Sequence, residues 1–396
     1  MPATIRTSDE LRRYALTNVT EPIAEHDFRR RFSELLDGAP DGLLRGYAFV
    51  TLPAAASAWL DTGIDLAAGG AVTLFATARR PSAAEAEGPS RDDRQLFHRL
   101  ASEAAEALRG VWYRVGADGR ASRGTRSSHT FLADCDGRLF LAAAPVSDPA
   151  TTSDLQPERR LFDVPRVDRF ALVVHWAGDP LEGVRTLRAG GEVGGLLDCE
   201  IARQRAAIEL PDGWHYAPPG VEGEQFAADG RRSGEPIIGC YSRSGAALLR
   251  KHARLPFLPG TTLRWAWLTH QLGSRVREDR LSSHNYISLA VEFDNGRDLT
   301  YYWSSELPVD SAYTCPVPDW EDRETHVVVR CGEDGLGQWL DEERDLYADY
   351  SRYVGAPPSG IVSVWILAST YRGRTDAWCD YGRVELANSS LTVRVN

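Results

Sequence analysis

The sequence predicts a mainly β protein built from two antiparallel β-sandwich domains with a few short helices. Three observations lead there. From Tyr47, short segments rich in β-branched and aromatic residues (YAFVTL, AVTLFATA, VWYRVG, SHTFLAD, RLFLAAA) follow one another, separated by Gly, Asp and Pro clusters. A second series, TLRWAWLTH, NYISLAVEF, LTYYWSS, THVVVRC and GIVSVWILA, fills the C-terminal half. Between the two series runs an irregular stretch containing Pro211, Gly213, Pro218, Pro219 and Gly220. The length of 396 residues suits two or three domains.

Taken in order, residues 1–40 read as a helical segment. Thr20 ahead of Glu21 and Pro22 is a start signal, Phe28, Phe32 and Leu35 recur at helical spacing, and Gly38 ends the run. Residues 41–180 form the first sandwich. A helix over residues 92–108 interrupts it, with Leu96, Phe97, Leu100, Ala104 and Leu108 as its apolar stripe. RFALVVHW closes this domain, and AGDPLEG marks a boundary near residue 180. Residues 181–220 read as a helical connector, with Leu197 and Ile201 on one face. The second sandwich occupies 221–396. In NYISLAVEF, Ile287, Leu289, Val291 and Phe293 alternate with Tyr286, Ser288, Ala290 and Glu292, so one strand face is apolar and the other polar and aromatic.

Composition narrows the function. With 45 basic against 56 acidic residues the net charge is −11, which repels polyanions and anionic membrane surfaces. Neither nucleic acid nor membrane is an expected partner; a small-molecule substrate is, and the oligomeric state is left open. Lys251 is the only lysine, as GC-rich coding of actinobacterial type would give. The start, MPATIRTSDELRR, lacks the apolar core of a signal peptide, so a cytoplasmic location is expected. The cysteines Cys135, Cys199, Cys240, Cys315, Cys331 and Cys379 and the nine histidines are scattered without metal-ligand spacing. No metal centre and no other cofactor is expected on that reading. Phosphate loops, dinucleotide fingerprints and the serine-hydrolase elbow are absent too.

Two stretches carry resemblances. WLDTGIDLAAGGAVTLFATA, with Trp59, Asp61, Thr62, Gly63 and Ile64 as its specific part, continues through DGRLFLAAA and resembles the soluble galactophilic lectin family over residues 45 to 178. That resemblance implies a jelly-roll fold. The family's calcium ligands do not carry over, since Ala144, Pro145 and VSDPATTSDLQ stand in their place. The second half, through LRWAWL, VEFDNG, THVVVRCGEDGLGQWLDEERDLYADY and IVSVWILA, resembles a bacterial β-sandwich family of unknown function over residues 235 to 388. The two resemblances together imply a jelly-roll-like arrangement for both domains.

Chemistry concentrates in the second half. Strand parity groups Tyr286 with Glu292, His326 with Val328 and Arg330, and Thr300 with Tyr302 and Ser304, while the loop REDRLSSHN supplies Asp279 and His284. A histidine beside a carboxylate on one sheet face is what general acid–base work requires. The expected catalytic set is therefore Asp279, His284, Glu292, Tyr302 and His326. Trp265, Trp267, Tyr286, Trp303 and Trp365 are the expected substrate-binding aromatics. Sheet parity limits this assignment: if Trp265 and Trp267 face the sandwich interior while Glu292 and His326 face outward, only one of the two sets lines the site. The expected function is a cofactor-independent cyclase or isomerase of natural-product biosynthesis, acting on a small, largely apolar, polyketide-like metabolite in a β-sandwich cavity. The alternative is a lectin-like carbohydrate-binding protein without catalysis.

Overall fold

The structure is a computed structural model describing residues 3–17, 20, 23–53, 58–78, 111–119, 122–123, 127–142, 168–217, 225–232, 234–243, 245–317, 320–370 and 375–396. It is mostly β, and its strands form layered sheets as expected. The helix expected over 92–108 lies outside the described residues. Among the described residues no helix is long and apolar enough to cross a membrane. The chain divides into two compact units, and the division does not follow a single cut in sequence. Strand β1 (Ala3–Ile5) and most of helix α1 (Ser8–Thr17) belong to the second unit. The N-terminal forty residues are therefore not one helical segment: they hold a strand and two helices divided between units.

The first unit runs from helix α2 (Glu25–Asp37) through strands β2 (Leu44–Leu52), β3 (Leu60–Leu66), β4 (Ala71–Ala78), β5 (Trp112–Val115), β6 (Ser122–Arg123), β7 (Ser128–Leu132), β8 (Gly137–Ala142) and β9 (Arg169–Trp176) to helices α3 (Pro180–Gly190) and α4 (Leu196–Arg205). Two four-stranded sheets, β2-β9-β4-β7 and β3-β8-β5-β6, enclose a core that includes Val72, Leu74, Leu139, Leu141 and Val173. Every residue of β4 and β9 is buried, because their other face is covered as well. Phe28, Phe32 and Leu36 of α2 pack there with Val184 and Leu187 of α3 and Leu196 and Leu197 of α4, against Phe75, Leu172, Val174 and Trp176. The helices expected as a connector over 181–220 are thus a third layer of the first unit. The physical reason is their apolar stripe, which a free connector would leave in water.

The second unit contains β10 (Ala206–Ile208) from its second residue on, β11 (His215–Ala217), β12 (Phe226–Arg232), β13 (Glu235–Arg243), β14 (Ala246–Pro256), β15 (Thr262–Gln271), β16 (Tyr286–Phe293), β17 (Asp298–Ser304), β18 (Ala312–Thr314), β19 (Glu324–Cys331), β20 (Trp339–Asp345), helix α5 (Leu346–Tyr353), β21 (Gly360–Ser369), β22 (Asp376–Ala387) and β23 (Thr392–Arg394). A seven-stranded sheet, β11-β14-β21-β16-β17-β19-β18, faces a six-stranded sheet in which β12-β13-β22-β15-β20 are neighbours and β23 pairs with β22. Leu289, Val291, Tyr301, Val327, Ile366, Trp265 and Tyr381 fill the space between them.

One pair departs from the antiparallel expectation, since β17 and β19 are parallel, with Thr300 opposite His326. A parallel pair needs a crossover of about a dozen residues or more. Here residues 305–323 supply it, and β18 within them returns antiparallel to β19, placing Tyr313 opposite His326. Cys315, Val317 and Trp320 of this crossover join Leu248, Tyr286, Ala290, Tyr302, Val328, Trp365 and Leu367 in a second cluster on the outer face of the sheet. Tyr286, Ser288 and Ala290, on the polar and aromatic face of β16, are all buried, and Tyr286 and Ala290 pack in this second cluster.

Candidate functional site

The outer face of the seven-stranded sheet holds a compact polar cluster. Its floor comes from strand parity. Glu324 and His326 are two residues apart on β19 and point the same way, while Thr300 and Tyr302 of β17 and Tyr286 of β16 lie beside them. The roof comes from the crossover, which brings Tyr313 and Cys315. The wall comes from the segment before β16, which brings His284.

The imidazoles of His284 and His326 are 4.8 Å apart at 84°. Tyr286 and Tyr302 meet His326 edge to face at 4.8 and 5.7 Å, and Tyr313 stacks on it at 5.0 Å and 9°. Four donors, one each from His284, Cys315, Glu324 and His326, lie within 4.8 Å of one another, and all four residues are buried. The fold therefore assembles what the scattered positions of these residues along the chain did not suggest.

Each group is held. His284 Nδ1 donates to the Glu278 carbonyl oxygen at 2.8 Å, and its Nε2 lies 3.5 Å from Cys315 Sγ. The Glu278 side chain fixes that loop by accepting from Ser304 Oγ at 2.5 Å, Ser305 N at 2.9 Å and Ser305 Oγ at 2.8 Å. Glu324 Oε1 accepts from Thr300 Oγ1 at 2.9 Å and Tyr286 OH at 3.3 Å and lies 3.3 Å from His326 Nε2. That last approach is close but poorly aligned. Both ring nitrogens of His326 and Glu324 Oε2 lack a hydrogen-bond partner, although the residues are 0% and 4% exposed.

Burial pushes the Glu324 carboxyl up, but the positive charge that His326 and His284 can carry outweighs it and holds the group below its ordinary range. Asp298 goes the other way, raised by burial and by the Glu324 charge. Burial also raises the Cys315 thiol and the phenols of Tyr286, Tyr302 and Tyr313. The two carboxyls are thus pulled apart, Glu324 downward and Asp298 upward, a separation typical of acid–base sites.

The structure brings together four of the expected site residues: His284, His326, Tyr302 and Tyr286. Glu292 shares their sheet face but is engaged elsewhere, accepting from Arg250 Nη2 at 2.8 Å and Trp365 Nε1 at 3.0 Å, with Arg250 lying over the Trp365 ring. Asp279 is gripped by the Arg277 guanidinium at 2.7 and 2.5 Å, and that hydrogen-bonded pair holds its carboxyl below the ordinary range.

Trp265, Trp267 and Trp303 are corrected to the sandwich interior, on the far side of the sheet. Trp265 packs on Trp267 and Tyr301, and Trp267 on Trp303. Parity sends them there, because Tyr301 and Trp303 alternate with Thr300 and Tyr302. Arg330 also leaves the expected group: an irregularity in the β17–β19 register pairs Trp303 with Arg330, and the guanidinium lies over the Trp303 ring. Glu324 and Cys315 were not anticipated. Glu324 was within reach of the parity rule, being two residues before His326. Cys315 sits where the backbone follows no period.

Residues 222–385 match the model of a family described as "Protein of unknown function (DUF3047)". This match covers most of the region whose residues resemble such a family. It does not reach residues 45 to 178, where the lectin resemblance rests on the residues alone. No curated protein matches the chain. Among solved structures the chain is similar to the xyloglucanase domain of NopAA, a type three effector from Sinorhizobium fredii in complex with cellobiose. Identity is 8%, 45% of this chain and 93% of that chain are covered, and the TM-score is 0.26. It is also similar to a variant of the oxalate decarboxylase OxdC of Bacillus subtilis, at 9% identity over 88% of this chain and 71% of that one, with a TM-score of 0.14. At these TM-scores neither likeness bears on the site.

Proposed function

We propose that the second unit is an enzyme of cyclase or isomerase type acting on a small, largely apolar metabolite, with the His284, Glu324, His326 and Tyr302 cluster as its acid–base machinery. The observation that carries this reading is the His326–Glu324 pair. The pair is buried without a full set of hydrogen bonds, which costs stability, and a carboxyl with a perturbed titration in such surroundings is a mark of function. The apolar neighbours Leu248, Ala290, Leu307, Val317 and Leu367 suit a substrate that is mostly hydrocarbon. Such catalysis works by holding a flexible chain near its reactive geometry while a positioned group moves a proton.

The carbohydrate-binding alternative would use Trp365, whose ring is 6% exposed and lies under Arg250, so a sugar would have to displace that guanidinium. One titration separates the two readings. With the full chain labelled at its histidine side chains and at the Trp365 indole, a naphthol is expected to shift the His284 and His326 resonances. His326→Gln is expected to weaken that binding at least about tenfold, or ~1.4 kcal/mol. A response confined to Trp365 on adding cellobiose favours the alternative, and silence to both ligands overturns the acid–base reading.

A further inference from the structure

We infer that His284, Cys315, Glu324 and His326 form a binding site for one divalent transition metal ion of the zinc class. The inference goes beyond the acid–base reading and does not depend on it, because the ion is detected without any substrate. It starts from the donor set. Two imidazole nitrogens, one thiol sulfur and one carboxylate oxygen lie within 4.8 Å of one another. An ion that holds sulfur at about 2.3 Å and nitrogen or oxygen at about 2.0–2.2 Å sits among ligands no farther apart than that. Mixed nitrogen and sulfur donors select zinc, cobalt and their neighbours over magnesium or calcium, which take oxygen.

Three further observations point to an ion rather than to a closed hydrogen-bond network. The first is what is left over. Both His326 ring nitrogens and Glu324 Oε2 are buried with no hydrogen-bond partner, and buried polar atoms rarely stay so without cost. An ion in the cluster would use one nitrogen of His326 and the spare oxygen of Glu324.

The second is what stands behind the donors. A metal-bound histidine usually donates its other ring N–H to a carbonyl or carboxylate, and His284 Nδ1 does this to the Glu278 carbonyl, turning Nε2 toward Cys315 Sγ. Glu324 is likewise steadied from behind by Thr300 Oγ1 and Tyr286 OH on Oε1.

The third is charge. A thiolate and a carboxylate together carry the two negative charges that a divalent cation neutralises, so metal binding with loss of the thiol proton leaves the buried cluster neutral. Cys315, whose backbone N–H already donates to the Glu324 carbonyl oxygen at 2.9 Å, would then be joined through its side chain as well to strand β19 and to the loop before β16. All four donors belong to the protein and all are buried.

The experiment uses the full chain, stripped with a chelator, dialysed and titrated with cobalt(II). One equivalent is expected to bind and to produce a thiolate-to-cobalt charge-transfer absorption. Cys315→Ser should abolish that absorption. Cys331→Ser, outside the cluster, should leave it intact. His326→Gln should weaken cobalt binding by at least about tenfold, since even changes behind the ligands cost that much. X-ray absorption on the zinc-loaded wild-type chain tests the same point without relying on the folding of any variant. One sulfur and three lighter ligands are expected; a shell with no sulfur, or failure of cobalt and zinc to bind stoichiometrically, overturns the inference. Naphthol binding without metal binding would leave the acid–base reading standing alone, and metal binding without naphthol binding would do the reverse.

Discussion

His129 on β7 shows how one buried side chain can set the pH response of the first unit. Its ring is 7% exposed, 3.0 Å from Tyr113 OH and stacked against Phe131. Burial, and after it the Arg203 charge, depress its pKa from 6.5 to about 3, with Glu200 opposing. Between pH 6.5 and about 3 the unfolded chain therefore binds a proton that the folded chain refuses, so this contribution to stability is complete above pH 6.5 and is lost as the pH falls. The expected outcome is faster hydrogen exchange in β4 and β7 at pH 5 than at pH 7, once intrinsic rates are allowed for, with that difference reduced in His129→Gln. An unchanged slope in the variant would assign the acid sensitivity to Glu200 and Arg203. At this scale the candidate site was half legible. Parity along β16, β17 and β19 groups Tyr286, Tyr302 and His326, and by the same rule it reaches Glu324. It cannot say which face is interior, so the Trp-rich set that includes Trp265 and Trp267 looked equally available. Nor can it follow a register irregularity, which carried Arg330 away from His326. Cys315 obeys no period and becomes visible only once the crossover is folded onto the sheet.

At the scale of elements, helix α3 depends on the absence of one side chain. Gly183 lies over Trp176, and a Cβ there would stand 2.3 Å from the indole Cε3. The indole has nowhere to go, being 2% exposed and tied through Nε1 to Thr73 Oγ1 at 2.7 Å. Alanine gains about 1 kcal/mol over glycine in a helix interior. Overpacking a rigid core costs about 1–3 kcal/mol, and with a contact this short it is the larger effect. Gly183→Ala is expected to lower the urea midpoint of the first unit. Gly178→Ala, where nothing lies within 4 Å, serves as the control and should leave it unchanged or raised. Elements of this kind were the most legible part of the chain. The strands at TLRWAWLTH, NYISLAVEF and THVVVRC fall where alternation puts them, and Phe28 and Phe32 face a core as their spacing requires. What pattern cannot supply is the partner of each face. The stripe of α3 and α4 reads as a connector without the sheet beneath it, and the polar and aromatic face of β16 gives no sign of the cluster that Cys315, Val317 and Trp320 close over it.

On the scale of the whole molecule, the chain does not hand one unit over to the next at a single point. Residues Ala3–Leu16 belong with the second unit, although the first unit follows them directly in sequence. Strand β1 pairs with β10, Ser8 Oγ accepts from Trp378 Nε1 at 2.8 Å, and the Arg12 guanidinium lies 5.1 Å from the centre of the Trp378 ring. The His270 ring stacks on that indole at 4.0 Å and meets Asp380 Oδ2 at 3.2 Å, so Arg12 completes a stack that begins at a carboxylate. A hydrogen bond and a cation–π contact of this sort together contribute about 1–2 kcal/mol. The sequence gives no sign of the arrangement, because Ser8 and Trp378 are joined only by tertiary pairing and the helical pattern of α1 would suit either unit. Deleting residues 1–16 is therefore expected to loosen the end of the chain remote from the deletion. Amide exchange in β22, which carries Trp378, and in β15, which carries His270, should accelerate by roughly five- to thirtyfold, as a loss of 1–2 kcal/mol implies for strands that open locally. Exchange in β2, β4 and β9 should hold at its wild-type rate. Acceleration in those three strands with β22 unaffected would show that the N-terminal segment supports the first unit instead, and that its contacts with Trp378 carry no stability.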